Sequence, residues 1–212
     1  NSFSCGAPIK LVLFAHKNGS IAVRKKKKKE ESSLFDFCQG KSFCIPHQMS
    51  IHHMLSHMYF KKIGLKPGID RAISDFIFEV IPPIKMPKVL ASNNEVAGFM
   101  VAEPLGTKAI AEGSAELLFL SGELWKNHPC CVISMHDEVI QEAEEATEEF
   151  VELLARSGEF IAKNITKAAE IAVEFLDPKK ELGLKVSVLK NVLEEKEGIK
   201  TIDLYPSIED LD

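Results

Sequence analysis

The sequence predicts an α/β protein with a largely parallel sheet, followed by a helical block. Two observations carry this. Between residues 9 and 135, short apolar runs alternate with stretches that hold helix start and stop signals, the pattern of strands joined by helices. From residue 137 onward the texture changes, and apolar residues recur at three- and four-residue spacing. No internal repeat interrupts either part.

The elements follow in order. IKLVLFA (9–15) is a strand, His16-Lys17-Asn18-Gly19 a turn signal, and SIAV (20–23) a second strand. RKKKKKEE (24–31) is expected as a solvated loop, because so many like charges repel one another in a packed element; a basic patch for a partner is the alternative. SLFDFCQGK reads as one helical turn ending at Gly40, and SFCIP (42–46) as a strand stopped by Pro46. Ser50 caps a helix over 51–63 that Gly64 terminates. Ile51, Met54, Leu55, Met58 and Tyr59 form its expected apolar stripe, which puts His53 and His57 on the opposite, solvated side. GLKPGID is a turn, and DFIFEVIPP (75–83) a strand ended by two prolines. MPKVLA makes a short helix with Pro87 at its start, SNNE a turn, and VAGFMVA (96–102) a strand. Pro104 suits the first position of a helix ending near Gly113. ELLFL (116–120) is a strand, followed by a turn holding Trp125 and by the strand CCVISM (130–135). Helices are expected over 137–141, 143–163, 166–176 and 181–193. Phe150, Leu153, Leu154, Phe160 and Ile161 share one face, and the glutamates at 138, 142, 144, 145, 148, 149 and 152 lie on a solvated surface. IKTIDLYPSIEDLD closes with a short extended piece and a final turn.

Bulk properties narrow the function classes. The chain has 212 residues, 45% of them hydrophobic and 27% charged, enough to bury a real core in one large domain or two small ones. A net charge of −5 implies no general affinity for nucleic acid. No apolar run approaches the ~20 residues that span a bilayer. NSFSCGAPIKLVLFAHKNGS lacks the basic and apolar order of a signal peptide, as the mature form of an exported protein also would. The five cysteines include no CxxC pair, which leaves a zinc ribbon or a thioredoxin motif unsupported, and their odd number leaves at least one outside any intramolecular bridge. A P-loop, a GxGxxG turn, a GxSxG elbow and an HExxH helix are all missing, which argues against a hydrolase.

In open α/β sheets, ligands gather at the carboxyl ends of strands, where helix amines face polar atoms. Three junctions qualify. The first is IPHQMSIHHMLSHM, which holds His47, His52, His53 and His57, four of the seven histidines. His53 and His57 are spaced to share a metal or to sit on a solvated face; His52, at the stripe's edge in the first turn, is the better pocket candidate. The second junction is Glu103-Pro104 after FMVA, where the carboxylate either caps free amines or lines a pocket. The third, LWKNHPCCV, gathers Trp125, His128, Cys130 and Cys131, with Trp125 either in the core or closing the pocket.

GKSFCIPHQMSIHHMLSHMYFKKIGLKPG, EVIPPIKMPKVLASNNEVAGFMVAEPLGTKA and LWKNHPCCV, in that order across about residues 8 to 175, resemble the nitrate/sulfonate/taurine group of ABC-transporter substrate-binding proteins, its nitrate- and bicarbonate-binding branch most of all. The resemblance implies a periplasmic-binding-protein-like fold of two α/β lobes joined by crossing strands. Residues 1–23 and 119–212 would form the first lobe, and 24–118 the second. It implies a small polar or anionic ligand held in the cleft and passed to ABC permease subunits, in the periplasm or outside the cell on a membrane anchor. Ser50, His52, Glu103, Trp125, His128, Cys130 and Cys131 are the expected ligand-binding residues.

Two departures from the family pattern modify this. Several first-lobe strands and helices that precede the equivalent of IKLVLFA in relatives are missing, which implies a fragment, or a first lobe completed in trans by self-association. Cys130 and Cys131 stand where relatives carry a charged residue after the HP motif. His52, Glu103 and Cys131 therefore also offer a soft-metal ligand set. The competing readings are an enzyme resembling the fungal thiamin-pyrimidine synthases, which share the fold and use a histidine and a cysteine-rich stretch with iron, and a sensor module using the same cleft.

Overall fold

A computed structural model describes residues 6–26 and 33–206. Most of the charge run 24–31, Cys5 and the final turn after residue 206 lie outside the described residues.

The strands are β1 (Ile9–Lys17), β2 (Ser20–Lys25), β3 (Ser42–Ile45), β4 (Pro67–Gly68), β5 (Phe76–Val80), β6 (Val96–Ala102), β7 (Ala115–Leu120) and β8 (Pro129–His136). The helices are α1 (Leu34–Cys38), α2 (Ile51–Lys62), α3 (Met86–Ser92), α4 (Leu105–Ala111), α5 (Ser121–Leu124), α6 (Asp137–Glu142), α7 (Glu144–Lys163), α8 (Ile165–Leu176) and α9 (Val186–Glu194). A 3-10 turn, Pro83–Lys85, leads into α3.

Six strands form one sheet in the order β4-β5-β3-β6-β2-β7. β3 runs parallel to β5 and β6, and β4 to β5, while β2 runs antiparallel to both β6 and β7. One reversed strand thus interrupts an otherwise parallel sheet, close to the expected architecture. Both faces are covered, as parallel sheets require. Along β2 and β3 the side chains alternate between two cores: Ala22, Phe43 and Ile45 pack with Leu55 and Phe60 of α2, whereas Ile21, Val23 and Cys44 pack with Met86 and Leu90 of α3. The first core is aromatic, with the Phe60 ring 4.8 Å from Phe43 and 4.3 Å from Phe76. Gly98 of β6 is needed there, because a Cβ would stand 2.2 Å from the Val23 carbonyl oxygen.

β1 pairs instead with β8, antiparallel, in a separate two-stranded sheet. The turn signal between β1 and β2 makes no hairpin: His16 and Lys17 belong to β1, and Asn18-Gly19 is the link. Asn18 (φ 54°) and Gly19 (φ 87°) take successive left-handed conformations and send the chain from one sheet to the other. β2 and β7 straddle the borders expected near 23 and 118.

Two expected faces are corrected. On α2, Met54 and Met58 face solvent at 42% and 51% exposure, and the buried residues are Leu55, Ser56 and Phe60. His53 and His57 are half-buried against Phe78, with ring centroids at 4.8 and 6.3 Å. The His53 ring meets Phe78 edge to face, so the buried face of α2 widens to the histidines, while Ile51, Leu55 and Tyr59 of the expected stripe pack on the core and the methionines stay outside. On α7, Phe150, Leu153 and Phe160 are exposed, while Val151 and Leu154 pack on Leu13 and Phe14 of β1. Two strands cover less of this helix than its full apolar width. The glutamates at 138, 142, 144, 145, 148, 149 and 152 are exposed as expected.

The helix expected over 181–193 starts later, at Val186. The Asp177 carboxylate accepts from the amides of Leu182 (2.9 Å) and Leu184 (3.0 Å), which holds that stretch as a loop bent around it at Gly183 (φ 61°). Leu184 then packs with Val188 and Leu189 of α9 on Ala169 of α8. The expected late extended piece is a bridge between Lys200 and Lys17.

Candidate functional site

The β1–β8 ladder sets His16 directly opposite Cys131, with a register shift on each side of His16. Such irregularities re-aim side chains, and here one ring nitrogen of His16 and the sulfurs of Cys130 and Cys131 all lie within 4.8 Å of one another. His16 Nδ1 donates to the Asn18 carbonyl at 3.0 Å. The Cys130 sulfur lies 3.4 Å from Ser20 Oγ, which is also hydrogen-bonded to His52 Nε2 at 3.1 Å. Ser20, the buried first residue of β2, donates its own amide to Ser121 Oγ at 3.2 Å.

His52 reaches this group from the first turn of α2. Ser50 caps that helix, its Oγ accepting from the His53 amide at 3.2 Å and donating to the His47 carbonyl at 2.6 Å. The Ser50 hydroxyl is thereby committed to the cap, and it is not brought together with the cleft residues. His52 Nδ1 is buried and has no partner. Burial holds the His52 pKa down to about 4; Cys131 opposes the shift, and His128 and His16 add to it. The ring is therefore neutral at physiological pH.

Glu103 follows β6. Its amide donates to the Gly19 carbonyl at 3.0 Å, and the Glu103-Pro104 peptide is cis. The carboxylate accepts from the Thr107 amide at 3.1 Å and from Thr107 Oγ1 at 2.5 Å, so it caps the first turn of α4. Burial raises its pKa, against the pull of those two hydrogen bonds. His52 and Glu103 line one cleft of about 360 Å³ together with Pro46, Pro83 and, from the C-terminal part, Leu176 and Leu184.

At the third junction Trp125 is 45% exposed and its ring centroid lies 5.8 Å from that of His128. His128 is fully buried with both ring nitrogens unpartnered, and burial lowers its pKa. Its carbonyl accepts from the amide of Asn18, a residue also fully buried with an unpartnered side-chain amide. Cys130 and Cys131 form no disulfide, and the Cys130 thiol hydrogen-bonds to the Cys131 sulfur. That bond favours the Cys131 thiolate, whereas Cys130 keeps its proton.

The soft-metal set expected from sequence, His52, Glu103 and Cys131, does not assemble. Among the described residues the group spaced for a metal is His16, Cys130 and Cys131. His52 turns to Ser20, and Glu103 to Thr107. His16 and Asn18 stand inside a turn signal and Ser20 just after it, so the sequence carries no sign of their roles. Only the pairing of β1 with β8 would have given them a role.

Known proteins extend this picture. A curated nitrate/nitrite binding protein, NrtA, from Nostoc sp. is 29% identical over 89 residues, 41% of this chain and 20% of that one. The ligand-binding component of an ABC-type import system from Staphylococcus aureus, solved with zinc bound, superposes with a TM-score of 0.77 at 22% identity, covering 99% of this chain and 66% of that one. The periplasmic nitrate-binding protein NrtA from Synechocystis PCC 6803 gives a TM-score of 0.70 at 16% identity, covering 96% of this chain and 54% of that one. The chain thus spans a fifth of the curated relative and less than two thirds or so of the solved ones, and its fold is the periplasmic-binding-protein-like α/β fold. Residues 8–176 match the family model, and the chain belongs to the NMT1-like family.

Proposed function

We propose that this chain is the substrate-binding part of an ABC importer. It captures a small polar solute in the cleft beside His52 and Glu103 and passes it to membrane permease subunits, with no chemical step. The observation that carries the reading is where the cleft lies. Pro46, Pro83 and Glu103, which follow the carboxyl ends of the parallel strands β3, β5 and β6, meet around it, and open α/β sheets take their ligands there. The buried, unpartnered His52 Nδ1 supports the same reading, since a solute group bonded to it would remove a desolvation cost of about 1–3 kcal/mol. The cleft lining includes no lysine or arginine, His52 is neutral, and Glu103 stands in the wall. The rest of the lining is proline and aliphatic side chains, so a solute that hydrogen-bonds at His52 and buries an apolar part suits it better than a bare anion does.

In this proposal residues 1–23 and 119–212 form one lobe and 24–118 the other, and closure of the two traps the solute. The path of β2 and β7 across both borders supports that division. The working place is the periplasm or the cell exterior. No helix among the described residues is long and apolar enough to cross a membrane.

A thermal-shift screen with nitrate, bicarbonate, alkanesulfonates and thiamin pyrimidines tests the proposal. One of them raises the melting temperature saturably, as mass action requires. The solute is recovered unchanged, and His52→Ala abolishes the rise. A consumed solute, a modified histidine, or a shift that survives in His52→Ala would each refute it.

A further inference from the structure

The trio on the β1–β8 ladder has no part in that capture, and its chemistry differs from the cleft's. We propose that His16, Cys130 and Cys131 form a binding site for a thiophilic metal ion, zinc(II), with three protein ligands and an open fourth position.

Four observations carry this. The first is spacing. In a tetrahedral zinc site with sulfur at about 2.3 Å and nitrogen at about 2.0 Å from the metal, the ligand atoms stand roughly 3.5 to 3.8 Å apart. The three atoms here lie within 4.8 Å of one another without any ion between them. Side-chain rotations of a few tenths of an ångström to an ångström close that gap.

The second is the orientation of His16. A carbonyl can only accept, so Nδ1, bonded to the Asn18 carbonyl at 3.0 Å, carries the proton and Nε2 holds the free lone pair. Ligating histidines are held in this way, the far nitrogen tied to a carbonyl so that tautomer and ring angle are fixed in advance. Gly19 makes room for it, because a Cβ there would stand 3.1 Å from Nδ1.

The third is the support around the sulfurs. Ser20 Oγ lies 3.4 Å from the Cys130 sulfur and links it to His52. A hydroxyl beside a ligating thiolate is the kind of outer partner that tunes a metal site. The fourth is access. Cys131 is exposed and His16 and Cys130 are partly buried, so an ion can arrive and a solvent oxygen can complete the tetrahedron. Two sulfurs and an imidazole select zinc over magnesium or calcium, which need oxygen ligands.

The surface pair His53 and His57 is a poorer site. His53 Nδ1 donates to the Gln48 carbonyl at 2.6 Å, the two rings are 6.3 Å apart, and both lie against Phe78.

The test uses the full chain, reduced with a phosphine, stripped with chelator and titrated with zinc(II) against a chromophoric competitor. One equivalent binds. His16→Ala and Cys131→Ser each weaken binding by more than about tenfold, the lower end of what loss of even an outer partner brings. Cobalt(II) in place of zinc shows thiolate charge-transfer absorption and tetrahedral ligand-field bands. The double variant His53→Ala/His57→Ala binds as the parent does. Binding that survives Cys131→Ser, cobalt spectra without thiolate bands, or loss of binding in the histidine double variant would each overturn the site. Should His16→Ala fail to fold, the parent protein still decides the matter: bound zinc must protect Cys131 from iodoacetamide, and unprotected alkylation refutes the proposal.

Discussion

Acidification should destabilise this protein through His52 before the carboxylates titrate. The His52 pKa is about 4 in the folded chain against an ordinary 6.5. Between those values the unfolded chain binds the extra proton and the folded chain does not, so stability falls as pH falls through that window. The distance between the two pKa values is worth about 3 kcal/mol in full. Roughly 2 kcal/mol of it is lost between about pH 7 and about pH 5. His128 and His57, both lowered chiefly by burial, act in the same direction. Glu103 acts the other way: its folded pKa is raised, so its contribution grows less favourable as pH rises. Substitution isolates the His52 share. His52→Gln keeps a hydrogen-bonding group beside Ser20 and cannot titrate. Urea unfolding of parent and variant in metal-free buffer, at about pH 7 and about pH 5, gives the difference directly. The parent should lose roughly 2 kcal/mol more than the variant over that interval. Equal losses would mean that His52 is as open to water when folded as when unfolded, and the buried, unpartnered Nδ1 would no longer support a ligand-facing role.

Three further substitutions test the packing. Phe60→Ala removes a fully buried ring from between Phe43 and Phe76 and should cost about 3–5 kcal/mol by urea unfolding. Ser50→Ala removes the α2 cap and should cost about 1 kcal/mol, with helix fraying at residues 51–54 visible by hydrogen exchange. Met58→Lys should stay within about 0.5 kcal/mol of the parent, because that side chain is half exposed. A large loss there would restore the methionine stripe as the buried face of α2.

Local signals located the elements well and their faces less well. Ser50 before an apolar run, Pro87 and Pro104 near helix starts, and the prolines after β3 and β5 all act over a few residues, and the elements begin and end where those signals stand. Faces depend on what lies opposite. Methionine and histidine are both adaptable enough to sit at a boundary, so the α2 stripe could be decided only by Phe78 coming to rest under His53 and His57. The late start of α9 is of the same kind, since nothing within 181–185 announces that Asp177 will take its amides.

The same limit divides the site. His52 and Glu103 stand at strand-to-helix junctions, a position that the α/β pattern itself marks out, and both line one cleft. His16 and Ser20 stand on either side of Asn18-Gly19, which reads as an ordinary hairpin turn. That turn instead separates two sheets, so the residues before it join β8 and those after it join β6 and β7. Cys130 and Cys131, more than a hundred residues away, acquire imidazole and hydroxyl neighbours only because the chain returns to β1 after completing the larger sheet. The Asn18-Gly19 turn therefore has two tasks with one geometry. It switches sheets, and the carbonyl of Asn18 fixes the ring that faces the two thiols.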